Sequence, residues 1–182
     1  MIEIEALKTG PVTVQVLTVS SGRVNALDVG VLQEFTGAVR DLYVPAKTDP
    51  VRTDELWKRT CFEAFVLPET GEAYAEFNIA PSTKWAAYRF DRYREGMRDA
   101  GEIAPLSVDV AATDTHLTLN VAFDLAVLPG FDVAADWRLG LTAVIEEASG
   151  RVSYWALTHP LPKPEFHNAD GFTGRLPVPE VQ

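Results

Sequence analysis

One cysteine in 182 residues excludes an internal disulfide, and that scarcity fits a reducing compartment. Basic residues are few as well: 16 lysines and arginines stand against 26 aspartates and glutamates, for a net charge of −10. Nucleic acid and anionic membrane surfaces are poor partners for such a chain, because both need clustered cations. No window reaches the roughly 18 apolar residues that span a bilayer. The start, Met1 to Lys8, lacks the basic residues and apolar run of a signal peptide, so a soluble, cytoplasmic protein is expected. No phosphate-binding glycine loop, G-x-S-x-G elbow or H-E-x-x-H pair occurs. The three histidines, His116, His159 and His167, have no tight metal-ligand spacing with each other or with Cys61, so no metal site is expected.

What is present is short-period alternation. Val12, Val14 and Val16 alternate with Thr13 and Gln15, which predicts a strand over 12–20 closed by a turn at Ser21-Gly22. Residues 24–44 carry apolar residues at helical spacing. Gly30 and Gly37 oppose a helix, each at about 1 kcal/mol, so strands are favoured, the last being Val39 to Val44 before Pro45. A Pro-punctuated loop over 45–56 leads into Trp57.

Three strands in meander order follow. Residues 59–67 set Phe62, Ala64 and Val66 against Cys61, Glu63 and Phe65. A hairpin at 69–72 uses Gly71 for its positive φ. Tyr74, Glu76 and Asn78 then share a face, with Ala75, Phe77 and Ile79 turned to the core. From Trp85 to Phe90, Trp85, Ala87 and Arg89 oppose Ala86, Tyr88 and Phe90. The charged stretch 91–104 reads as a long loop. Hairpins are expected over 106–124 and 137–158, the second closed by Ser149-Gly150. The Pro- and Gly-rich tail predicts an extended surface strap. About ten short strands and no confident helix imply an all-β, antiparallel β-sandwich, jelly-roll or immunoglobulin-like, in one domain over 1–182.

Trp57, separated from Glu63 by five intervening residues, with Phe65 on the same strand face and an aromatic return, resembles the family 9 carbohydrate-binding modules. The run L-W-K-R-T-C-F-E-A-F, then Y-A-E-F-N-I-A-P-S, W-A-A-Y-R-F, V-I-E, S-Y-W-A-L-T-H-P and P-E-F-H, looks more closely like the bacterial DOMON-like proteins over residues 35–176. Most of those have no assigned function, and some relatives are joined to a cell-wall precursor reductase. The resemblance implies a β-sandwich that binds a small ligand, a saccharide or cell-wall sugar intermediate, without turning it over.

In the sugar-binding modules one tryptophan stacks on the ring, a strand glutamate bonds the hydroxyls, and a late tryptophan closes the site. Trp57 and Glu63 match the first two by spacing; Trp155, Phe166 or His167 would be the third. Other DOMON domains hold haem through Met and His. Met97 has no evident histidine partner, so haem is the weaker implication.

A stacking ring plus a fixed carboxylate suits a sugar, whose C–H face is apolar and whose hydroxyls need set partners. Arg52, Arg59, Asn78 and Arg89 are candidate donors. The expected site lies on the sheet carrying Cys61, Glu63, Asn78 and Trp85, walled by Trp57 and the 159–167 loop with His159 and His167, and Arg59, Arg89 and Trp155 complete the candidate ligand-binding set. Cys61 would fill the groove floor. In the plainer alternative, Trp57 caps the sandwich and Glu63 pairs with Arg59 or Arg89. Two further readings stay open: a protein-interaction module using a flat aromatic face, and a glycoside hydrolase using Glu63 and Glu76.

Overall fold

The computed structural model describes the backbone of residues 2–3, 5–6, 14–23, 28–132 and 134–178, with side chains described from residue 34 onward. Among the described residues, thirteen strands form two antiparallel sheets packed as a sandwich. The first sheet runs in the order β1 (Ile2–Glu3), β3 (Val14–Arg23), β4 (Asp28–Gly37), β10 (His116–Asp124), β9 (Ser107–Ala112). The second begins with β2 (Glu5–Ala6), β12 (Val152–Ala156) and β11 (Trp137–Glu146). It continues through β5 (Cys61–Pro68), β6 (Tyr74–Ile79), β7 (Trp85–Phe90) and β8 (Arg98–Asp99). A last strand, β13 (Gly174–Leu176), pairs with the start of β11.

Alternation decides which side chains meet between the sheets. Phe62, Ala64 and Val66 of β5, with Ala75, Phe77 and Ile79 of β6, pack against Leu117, Leu119, Val121 and Phe123 of β10. Phe77 and Phe123 stack across the interface with centroids 4.0 Å apart. Trp137 is fully buried in the same core.

Three expectations are corrected. The strand β3 runs through Ser21-Gly22 instead of turning there, because β4 stays opposite it, with Ser21 on Val31 and Gly22 on Gly30. A continuous ladder overrides the turn preference of that pair. Val12, Thr13 and residues 24–27 lie outside the described residues.

The short strand expected over Val39 to Val44 is instead a 3-10 turn over Val39–Asp41, and Leu42 makes a single bridge to Glu147. The amide of Val39 is taken by the Asp114 carbonyl at 3.0 Å, and a strand-type bond returns only where the Tyr43 amide meets the Glu146 carbonyl at 2.8 Å. The tail is more than an extended strap: it turns in a 3-10 step at Ala169–Gly171 and then adds β13 to the sheet.

Candidate functional site

The outer face of the second sheet is unusually well covered. Every residue of β5 and β6 is buried, including those that point away from the inter-sheet core. On that outer side, register places Glu63 opposite Asn78 of β6 and opposite Thr142 of β11. Phe65 stands opposite Glu76 on one side and Gly140 on the other. Tyr88 lies opposite Glu76, and Phe90 opposite Tyr74.

A second apolar cluster forms here from Phe65, Leu67, Tyr74, Tyr88, Phe90 and Phe172, with Trp57 and Phe166 packed on it. The tail crosses this face and supplies the cover. Phe172 stacks on Phe65, and His167 stands edge-on to Phe65 and Phe90 at 5.3 and 5.1 Å.

The cover stops short of one end, leaving a groove of about 430 Å³. Its floor is Glu63, Phe65, Glu76, Val144 and Tyr154. Trp57 stands at one side, on a 3-10 turn over Leu56–Lys58 that follows the left-handed backbone of Glu55 (φ 62°). The tail contributes Pro164, Phe166 and His167, and the loop after β7 contributes Arg94 and Met97.

The two carboxyls of the floor sit diagonally, one strand apart, and are 3% and 4% exposed. The Thr142 hydroxyl donates to Glu63 Oε2 at 2.7 Å, and Asn78 Nδ2 donates to Glu76 Oε1 at 2.7 Å. Burial raises both above the ordinary carboxylate range; the charge of Glu76 raises Glu63 further, while Thr142 and Arg94 act against this.

Burial also lowers His167, to about 4, helped by the nearby Arg94 charge, so the ring is neutral. Tyr74 OH lies 2.8 Å from His167 Nδ1. The Arg94 guanidinium bonds Glu165 through Nε and Nη2 at 3.1 and 2.8 Å. Burial works against the charge on Glu165, but that bond holds its carboxyl below the ordinary value.

Of the residues singled out in the sequence, Trp57, Glu63, Glu76, Met97, Phe166 and His167 meet in the groove. Asn78 and Cys61 share its face but lie beneath it, fully buried; Asn78 orients Glu76, and Cys61 Sγ rests 3.9 Å from Asn78 Oδ1. Arg59 turns away to Glu146 at 2.8 Å and lies over the Tyr43 ring. His159 stays outside the lining and packs against Phe166, centroids 6.3 Å apart. Arg52 is held by Asp99 at 2.9 Å and lies over Trp85 and Tyr88.

The structure does not bring Trp85, Arg89 or Trp155 to the groove. Ile79 pairs with Trp85, so Trp85 takes the core-facing phase while Ala86 joins Asn78 outside. Arg89 shares that inner phase and pairs with Glu102 at 3.0 Å. Trp155 lies opposite Ala143 in the core, its Nε1 bonded to Ser153 Oγ at 3.0 Å. Phe166 and His167, by contrast, line the groove.

Sequence reasoning missed Phe90, Arg94, Val144, Tyr154 and Pro164 as lining residues. Phe90 and Tyr154 were within reach of alternation carried strand to strand from Glu63. Arg94, in a loop with positive φ (54°), gives no periodic signal. Met97 lines the groove with His167, although nothing in the sequence spacing joins them. Among the described residues no group of three or more His, Cys, Asp and Glu is placed to hold a metal. Among the described residues no helix is long and apolar enough to cross a membrane.

No family model and no curated protein matches the sequence. Solved structures do match in fold. One is a protein of Bacteroides uniformis ATCC 8492, provisionally described as carbohydrate-binding, at 16% identity and a TM-score of 0.68, covering 96% of this chain and 85% of that one. Another is a family 9 carbohydrate-binding module of Caldicellulosiruptor kristjanssonii in complex with glucose, at 9% identity and a TM-score of 0.53, covering 100% of this chain and 86% of that one. At these identities the likeness is one of fold: a β-sandwich of the carbohydrate-binding-module type.

Proposed function

We propose that the groove on the second sheet binds a saccharide without turning it over, and that the chain is a DOMON-like relative of the family 9 modules. The observation that carries this reading is the pairing of an aromatic wall with a hydrogen-bonding floor. Trp57 and Phe166 offer ring faces for a pyranose, and Glu63 and Glu76 offer fixed carboxyl oxygens. A volume of about 430 Å³ falls in the range of small-ligand pockets. The fold neighbours include a protein solved holding glucose. The concave, carboxyl-lined shape counts against a protein-interaction face, which would be flat and apolar.

A glycoside hydrolase using Glu63 and Glu76 is the second reading, favoured by two buried carboxyls with raised proton affinity in one groove. Both project from adjacent strands into one groove, the close placement that a hydrolase requires and that the binding reading shares.

Thermal unfolding against neutral mono- and disaccharides tests the reading. A ligand at 100 times its Kd should stabilise the chain by roughly 2.7 kcal/mol. That shift should vanish in the folded double variant Trp57→Ala, Glu63→Gln. Release of reducing sugar from a disaccharide would favour the hydrolase. No shift with any sugar would return the groove to the interaction reading.

A further inference from the structure

On the floor of the groove the Tyr154 hydroxyl is free to donate, but the donors beside Glu63 and Glu76 are taken. Thr142 OH and Asn78 Nδ2 are spent on Glu63 Oε2 and Glu76 Oε1. Tyr74 OH accepts from the backbone N–H of Arg94 at 3.3 Å, which leaves its own proton for His167 Nδ1. His167 Nε2 then carries the ring proton, and it stands 3.8 Å from Glu76 Oε2, beyond hydrogen-bond length. Glu63 Oε1 accepts no hydrogen bond among the described residues. Two carboxyl oxygens, on side chains more than nine-tenths buried, are thus left unspent at the floor of an open groove. The cation at the rim, Arg94, is committed to Glu165.

A ligand hydroxyl brings one proton and two lone pairs, and between Glu63 and Glu76 the Thr142 and Asn78 donors are already taken. A primary ammonium brings three protons and no lone pair. Resting on the saccharide reading above, we propose that the ligand is an amine-bearing saccharide, with its ammonium seated between Glu63 and Glu76.

The surrounding charges agree. Cys61 on β5 and Tyr74 on β6 are neutral, as is His167 of the tail, and Arg94 is offset by Glu165. The floor pair is then the unbalanced charge of the site. In the empty groove burial, with the Glu76 charge acting on Glu63, favours a proton on the pair; a ligand hydroxyl accepts that proton in place, whereas an arriving cation displaces it.

Calorimetry on the full chain tests this at pH about 6.5, below the range of an α-amino group. The probes are glucosamine, galactosamine and mannosamine, each beside its neutral parent and its N-acetyl derivative. One amino sugar should bind about tenfold or more tighter than both counterparts, as charge-assisted bonds are roughly twice as strong as neutral ones. Glu76→Gln and Glu63→Gln should each collapse that ratio towards one. Titrations of the wild type in two buffers of different ionisation heat give a second readout, which needs no variant to fold. They should show proton release with the amino sugar and none with its parent. A parent or N-acetyl sugar that binds as tightly as the amine, or binding without proton release, overturns the inference and leaves the saccharide reading standing. Binding by none of the probes overturns both.

Discussion

Phe172 lies nearly parallel to Phe65, with centroids 5.5 Å apart and planes at 17°, above the bare backbone of Gly140. A methyl group built at Gly140 would come within 2.4 Å of Phe172 Cδ1. The glycine thus opens the seat in which the tail docks on the sheet. The tail in turn fixes Phe166 and His167, which line the groove.

Gly140→Ala should therefore unseat Phe172 and disturb the groove from below. Overpacking of this kind costs about 1–3 kcal/mol. Urea unfolding should show that loss, and saccharide affinity should fall with it. Phe172→Ala in the same background separates the two effects: with the ring gone, the added methyl should cost little more. An alanine at 140 that left both stability and affinity unchanged would show that the tail is not anchored there.

The four tryptophans should divide sharply. Trp57 is half-buried at the groove edge and meets Tyr88 edge-on at 6.0 Å, so Trp57→Ala should leave a folded chain whose sugar affinity falls about tenfold or more. Trp137 is fully buried between the sheets, and Trp137→Ala should cost about 3–5 kcal/mol. Ligand-induced change in tryptophan fluorescence should disappear in Trp57→Phe and persist in Trp155→Phe. The reverse pattern would place the ligand elsewhere.

Those tryptophans also show where sequence reading stops. The alternation of Phe62, Ala64 and Val66 against Cys61, Glu63 and Phe65 gave the sandwich and both faces of β5, because period-2 burial is a local property of a strand. Placing Trp85 on the Glu63 face failed for want of register. The tight turn joining β6 to β7 sets Ile79 against Trp85, and a one-residue difference in pairing exchanges the faces of a whole strand. Trp155 failed likewise, since its neighbour Tyr154 holds the outward phase beside Val144. Arg94 and Met97 reach the groove from a loop whose path depends on tertiary contacts, such as the bond from the Arg94 amide to Tyr74 OH. The segment from His159 was legible as a strap from its Pro- and Gly-rich composition, and its use as one wall of the site was what the family resemblance implied. The docking of Phe172 over Gly140 had no signal beyond the glycine itself.

Cys61 should resist thiol reagents in the folded chain. It is fully buried, and burial, with the Glu63 charge added, pushes its thiol well above the ordinary range. Labelling with a chromogenic disulfide at pH about 8 should proceed only as fast as the groove face opens. In urea it should run to completion at once. Rapid labelling under native conditions would mean that the β5–β6 face is open to solvent.

Stability should fall as pH rises above about 6.5, and the floor carboxyls should be the cause. Folding raises Glu63 and Glu76 above the ordinary carboxylate value of 4.5, so the folded chain keeps protons that the unfolded chain has released. Stability then declines with rising pH. His167 acts in the opposite sense. Burial lowers it from 6.5 to about 4, so between those values the unfolded chain binds the extra proton, and stability rises with pH over that stretch. The two trends oppose each other below pH about 6.5, and above it only the carboxyl trend remains. Cys61 adds to the decline only once the unfolded thiol begins to ionise, at about pH 8.5. From pH about 6.5 to 8 the wild type should lose about 1–2 kcal/mol of unfolding free energy. The double variant Glu63→Gln, Glu76→Gln should stay flat across that window. Urea titrations of both proteins at half-unit steps read the difference directly. Parallel curves would mean that both carboxyls are already ionised at neutral pH. An amine-bearing ligand should flatten the wild-type decline as well, since its charge replaces the proton that the pair otherwise holds.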